Sequence, residues 1–341
     1  MFRLKFIFIL LCCCCLPLSA GRKSEKLPAW VTSPSNVYSE NEYIVELGTG
    51  MSQKEADTKA IEGLAAIFNR SVSSKTDSSL SYRENASGVD KTKSIDQQVS
   101  VLTSIKDLIG VEIKERWKSK NGTFYALAVL NKQKATTIYS EKATLCVSLI
   151  EESLKIPSDE KGTFHEYFRY LSAISQANEM SLYNSYISVL NPAATLIYEE
   201  EYNPDKLKLK AVSIAKNILV EVKLEGNWAE QRLKSIFEKV FSSRGFTIAK
   251  ANNGRYVFNI KMELGEESKL SDNRLMIRYS LTSELLDKVT GDSLLPFVIN
   301  DKAVQFNTEA VKNQIFKSVK KKVETDFEAL FDEYMKNSSL E

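Results

Sequence analysis

Two side chains in this 341-residue chain are the natural places to look for nucleophilic or metal chemistry: the single histidine, His165, and Cys146. Neither has the neighbours such chemistry needs. A zinc site or a Ser-His triad surrounds its histidine with partners, and Glu166 and Tyr167 beside His165 give no ligand spacing. Cys146 lies between Leu145 and Val147, so it reads as a small buried hydrophobe; an activated thiol wants a basic neighbourhood or a helix start. Gly48-Thr49-Gly50, between a strand pattern and a helix pattern, suggests a dinucleotide loop. The third glycine of G-x-G-x-x-G would fall at Gln53, however, and Glu55 and Asp57 put negative charge where a phosphate would sit. A turn is the better reading, and the chain has no G-x-x-x-x-G-K-S/T. Glu199-Glu200-Glu201 lacks the glycine-spaced carboxylates of a calcium loop. Lys317, Lys320, Lys321 and Lys322 could meet anionic lipid or a polyanion, yet they share a helix pattern with Val319 and Val323 and read as a solvated face. No catalytic, cofactor-binding or metal-ligating residue is assigned from sequence.

Composition narrows the class. The chain is 43% hydrophobic and 26% charged, which are globular values, and its length favours two or three domains. Lys+Arg number 46 and Asp+Glu 44, interspersed, for a net charge of +2. There is no basic field for nucleic acid. Arg3 and Lys5 precede the apolar run Phe6–Leu16; Pro17 breaks it and Leu18-Ser19-Ala20 offers a cleavage site before Gly21, so residues 1–20 read as a signal peptide. Four of the five cysteines, Cys12 to Cys15, sit inside that leader, leaving only Cys146 beyond it. The cluster keeps a second reading open, acylation of one of Cys12–Cys15 as a membrane anchor, although Leu11 is not the small residue a lipobox wants before Cys12. An exported chain without a disulfide framework must rely on its cores. Asn69, Asn85, Asn121 and Asn337 stand in N-x-S/T sequons, which matter only in a glycosylating host.

The elements that would position these residues can be read in order. Gly21–Lys26 is a basic, polar tether, and Pro28, Trp30 and Pro34 imply an extended entry. Tyr43–Leu47 reads as a strand ended by Gly48 and Gly50. Ser52 and Glu55 form a capping box opening a helix with Ala56, Ala60, Leu64 and Ile67 on one face. Ser73–Gln97 is a polar excursion or weak ribbon. Strands are expected at Val99–Ile105, Val111–Trp117 and Phe124–Leu130, the last two joined by an Asn121-Gly122 hairpin turn. A helical hairpin follows: Lys134–Lys155, with Ile138, Leu145, Leu149 and Ile150 as its apolar residues, then Phe164–Leu190. The last third reads as strand, helix, four strands and helix, with Asn227 as a helix cap, Gly245 as a C-terminal left-handed glycine, and a final helix from Thr308 to about Met335. The expected fold is α+β: a domain over 21–131, a helical hairpin over 132–195, and a C-terminal α+β domain over 206–341.

Pro-x-Trp at Pro28 and Trp30, the tyrosine strand closing on Gly-x-Gly, the Ala56/Ala60/Leu64 helix, and Trp117 before a Tyr125-containing strand together resemble the Lpp-twenty family of bacterial envelope lipoproteins. The same arrangement is similar to the N-terminal domain of FlgT, a flagellar accessory protein, and the C-terminal pattern looks like the N-terminal domain of TolB. The resemblance implies an exported, non-enzymatic envelope protein that binds or scaffolds at the periplasmic face of the outer membrane or in a flagellar or secretion assembly. It implies envelope proteins, peptidoglycan or outer-membrane components as partners; the balanced charge and the missing motifs imply no nucleic acid and no cofactor. The alternative is an exported hydrolase or nucleotide-dependent enzyme whose carboxylates the sequence does not bring together. Oligomeric state is left open.

Overall fold

A computed structural model describes residues 26–80, 108–250 and 253–338. The leader with Cys12–Cys15, the tether as far as residue 25, the expected strand Val99–Ile105 and the sequon at Asn85 lie outside the described residues. Among the described residues, helices and two separate sheets make an α+β fold. It divides into two compact units, one comprising Met1–Leu64 and Glu112–Val129, the other Ala65–Val111 and Leu130–Glu341.

In the first unit, β1 (Tyr43–Gly50), β2 (Val111–Lys118) and β3 (Phe124–Asn131) form a sheet of order β1-β3-β2. Strand alternation gives it two different faces. Tyr43, Val45, Leu47, Trp117, Tyr125, Leu127 and Val129 gather around Trp30 on one face. The entry is not extended, as Pro28 and Pro34 suggested. Two helical turns, Ala29–Thr32 and Pro34–Val37, bury Trp30, with Pro34 at the position in the second turn where no N–H is needed. The other face carries Gly48, Ala126 and Ala128 and meets α1 (Gln53–Leu80).

Gly48 and Gly50 are not turn residues. Both belong to β1 and neither has positive φ. A Cβ on Gly48 would stand 2.1 Å from the Ala56 carbonyl oxygen and 2.4 Å from the Ala60 nitrogen, so glycine is there to let a helix backbone touch a strand. The capping box forms: the Glu55 N–H donates to Ser52 Oγ at 3.2 Å and the Met51 N–H to Glu55 Oε2 at 2.8 Å. Ala56, Ala60 and Leu64 are buried as expected, but Ile67 is exposed and Phe68 takes the inward place. The helix runs on to Leu80, so the first residues of the expected polar excursion are helical. At the β2–β3 hairpin only Gly122 has positive φ, at 91°.

In the second unit, α2 (Lys132–Leu154) and α3 (Phe164–Leu190) form the hairpin, starting at caps in which Asn131 Oδ1 accepts from Lys134 and Thr163 Oγ1 from Glu166. The inward face of α2 includes Ile150 as expected but otherwise differs from the expected one. Ala135, Thr136, Tyr139, Ala143, Cys146 and Ile150 are buried, while Leu145 is 59% exposed. A stripe of small residues and one tyrosine packs close to α3, and the leucines lie to its side. Helix α4 (Pro204–Asn217), capped by Asn203, has no counterpart in the sequence reading; its lysines at 206, 208 and 210 mask the Leu207, Ala211, Ala215 stripe.

The second sheet contains β4 (Leu219–Glu225), β5 (Thr247–Ile248), β6 (Tyr256–Leu264), β7 (Ser268–Lys269), β8 (Leu275–Asp287) and β9 (Ser293–Gln305). Its order is β5-β4-β6-β8-β7, with β9 also on β8. The β4 pairings are parallel and the rest antiparallel. Helix α5 (Gln231–Ser243) joins β4 to β5. Asn227 does not cap it. Its side chain instead clamps Leu264, accepting from that residue's N–H at 2.7 Å and donating to its carbonyl at 2.8 Å.

The terminal helix is α6 (Thr308–Lys322), a π-helical turn at Val323–Phe327, and α7 (Glu328–Ser338). Val311, Ile315, Val319, Val323, Phe327, Phe331 and Met335 are all buried, each four residues after the last. At 3.6 residues per turn, a spacing of four drifts by about 40° per step. The wider π turn winds back part of that drift and keeps the stripe on the sheet. Hairpin, sheet and terminal helix share one core, in which Phe164 lies 4.8 Å from Phe246 and 4.4 Å from Tyr256.

Candidate functional site

The structure separates the residues that chemistry would have needed together. His165 is exposed near the start of α3. Cys146 is buried and free, and burial, helped by the charge of Glu179, pushes its thiol up to about 11, the reverse of an activated nucleophile. The end of α1 where a phosphate would bind is occupied by the Glu55 carboxylate. Glu200 pairs with exposed Lys206, and Glu199 and Glu201 are exposed. In the lysine run, Lys320 pairs with Glu324 and Lys322 with Asp301, while Lys317 and Lys321 face solvent. Among the described residues no group of three or more His, Cys, Asp or Glu could hold a metal ion, and no helix is long and apolar enough to cross a membrane.

Two partly buried ion pairs are part of the second unit's framework. Arg255 donates to both Asp287 oxygens, at 2.9 and 2.7 Å. Burial alone would raise the Asp287 carboxyl; hydrogen bonds from Arg255 and from the Val289 and Thr290 backbone outweigh it and hold the group below the usual carboxylate range. Arg244 reaches Asp332 at 2.8 Å and lies over the Phe331 ring at 4.7 Å. Both clusters tie elements of the second unit together.

What remains as a site is the face of the second sheet turned away from the helices. Inward residues of β4, β6 and β8 are the core residues Val220, Val222, Phe258, Ile260, Met262, Ile277, Leu281 and Leu285, so the residues alternating with them form a mostly polar outer face. Its charges mostly alternate in sign. Glu225 stands opposite Lys261, whose Nζ is 3.4 Å from Glu263, and Lys223 is 3.8 Å from Glu221. A groove of about 320 Å³ is lined by Lys223, Asn259, Lys261, Thr282, Glu284 and Pro296 among others. A second, of about 570 Å³, crosses the ends of β6, β8 and β9 and is lined by Glu263, Gly265, Arg278, Ser280, Asn300 and Lys302 among others. Sequence reading singled out none of these residues. Alternation within β8 and β9 could have placed Arg278 and Lys302 on outer faces, but their juxtaposition depends on the pairing register.

A search of curated proteins gave no match. Among solved structures, the secreted protein HP1454 from Helicobacter pylori is similar at 14% identity and a TM-score of 0.38, covering 87% of this chain and 98% of that one. A minor lipoprotein from Acinetobacter baumannii is similar at 12% identity and a TM-score of 0.24, covering 35% of this chain and 93% of that one. The resemblance read from Pro28, Trp30 and the glycine-alanine packing agrees with the family comparison: residues 28–131 match the model of the LPP20 lipoprotein family.

Proposed function

We propose that this chain is an exported, non-enzymatic bacterial envelope protein that binds or scaffolds at the periplasmic face of the outer membrane. The observation that carries the reading is the LPP20 lipoprotein match over residues 28–131. The leader supports it independently: a basic start, an apolar run and a break at Pro17 describe an export signal. Within this reading the protein acts through surfaces, with envelope proteins, peptidoglycan or outer-membrane components as partners. It is held at the membrane either by an acylated cysteine of Cys12–Cys15 or by those partners. Fractionation of cells making the full chain should place the protein in the envelope, and recovery from the cytosol would overturn the proposal. Intact mass then decides the anchor. A chain beginning at Gly21 means cleavage without acylation, and a lipid-bearing cysteine means the opposite.

A further inference from the structure

We propose that Arg278 and Lys302 form a binding site for a phosphate group on the outer face of the second sheet. The two residues are direct cross-strand partners in the β8–β9 register. Both are exposed on the same face, and among the described residues neither has an ion-pair partner. Like charges directly opposite each other on neighbouring strands are destabilising. Elsewhere on this face the chain avoids that arrangement by setting each lysine beside a carboxylate. The unfavourable pair therefore stands out as an arrangement that an anion would relieve.

The surroundings suit such a guest. Gly265 lies beside Arg278, its N–H bonded to the Arg278 carbonyl, and with no side chain there the groove stays open. One row along the sheet, Ser280 pairs with Asn300 and presents a hydroxyl and an amide that can donate to phosphate oxygens. The two carboxylates at the rim are already engaged, Glu263 by Lys261 at 3.4 Å and Asp301 by Lys322 at 3.1 Å. The groove is open to solvent and offers about 570 Å³, room for a small polar group. A guanidinium fork beside an ammonium is the donor set that recognises phosphate oxygens. Such a group could be free phosphate or the headgroup of an anionic lipid.

The test uses the full mature chain, titrated with inorganic phosphate and, separately, with phosphatidylglycerol vesicles in a phosphatidylcholine background. Binding of either probe, weakened at least tenfold in the double variant Arg278→Gln/Lys302→Gln, supports the site. Binding of phosphate alone identifies a free-ion site, and binding of vesicles alone a headgroup site. The variant Lys302→Glu converts the like-charged pair into an opposite one. It should abolish binding while raising Tm slightly, by about 1 °C, because it relieves the repulsion. Circular dichroism checks that both variants fold. No binding of either probe, equal binding by the double variant, a lower Tm in Lys302→Glu, or tighter binding of hexaglutamate than of phosphate overturns the proposal.

Discussion

The two units solve the same problem, covering a sheet with helices, with opposite materials. In the first, Gly48, Ala56, Ala60, Ala126 and Ala128 bring backbone against backbone, leaving no space for a methyl group at Gly48. In the second, Phe164, Phe168, Phe237, Phe241, Phe258, Phe327 and Phe331 fill the space between sheet and helices. A unit packed by small residues is limited by how close its elements come. A unit packed by rings is limited by whether the volume between them is filled. The first should be sensitive to added atoms and the second to removed ones.

The largest effect is expected where several rings meet beside the sheet. Phe327 lies 5.3 Å from Phe258, 5.3 Å from Phe297 and 5.4 Å from Phe237, and it is fully buried at the end of the π turn. Phe327→Ala should cost about 3–5 kcal/mol in urea unfolding, because the surrounding rings cannot collapse into the cavity. A loss below about 1 kcal/mol would mean that the second core tolerates vacancy and the contrast fails.

Gly48→Ala supplies the opposite arm. One methyl group placed 2.1 Å from a carbonyl oxygen must push α1 off the sheet, at about 3 kcal/mol. The sequence showed these glycines but not their use, because a turn glycine and a close-approach glycine look alike until the helix is in place. Other features were legible. Phe164–Leu190 has both boundaries as read, since Thr163 caps it and Asn191-Pro192 stops it. Helix α4 was missed because alternating lysines hid a stripe containing two alanines. The Arg278–Lys302 pair was out of reach because its register depends on how β8 meets β9 across an irregularity near Ser283.

Ion pairs sharpen the comparison at smaller magnitude. Asp287 is 5% exposed and held by Arg255, whereas Arg116 and Asp57 in the first unit pair at 3.1 Å with side chains 54% and 24% exposed. Asp287→Asn should cost about 2 kcal/mol at pH 7, and Asp57→Asn less than about 1 kcal/mol. The sign with pH follows from the depressed Asp287 carboxyl. Its stabilisation is fully present above the unfolded value, about 3.9, and is lost as pH falls below that through the native value. Melts of wild type and Asp287→Asn should therefore converge below about pH 4. Curves that stay parallel down to pH 2 would show that the pair does not titrate with folding.

The smallest expected effect tests whether residue size reveals what is inside. By hydrophobicity Leu145 and Leu149 should be the core of α2, as Phe164 and Phe168 are of α3. They are instead 59% and 41% exposed, while Ala143 and Cys146 are buried. The cause is the hairpin's own geometry. Tyr139 stacks on Tyr183 at 5.9 Å and meets Tyr186 edge-on at 5.0 Å, which fixes the rotation of α2 and turns the small residues inward. Leu145 and Leu149, one and three positions from Cys146, then point about 100° and about 60° away from it, toward solvent. Leu145→Gln should leave unfolding free energy within about 0.5 kcal/mol of wild type, as exposed substitutions do. A loss of about 2 kcal/mol or more would place Leu145 against a covering surface in the folded protein and return α2 to the face its leucines suggest.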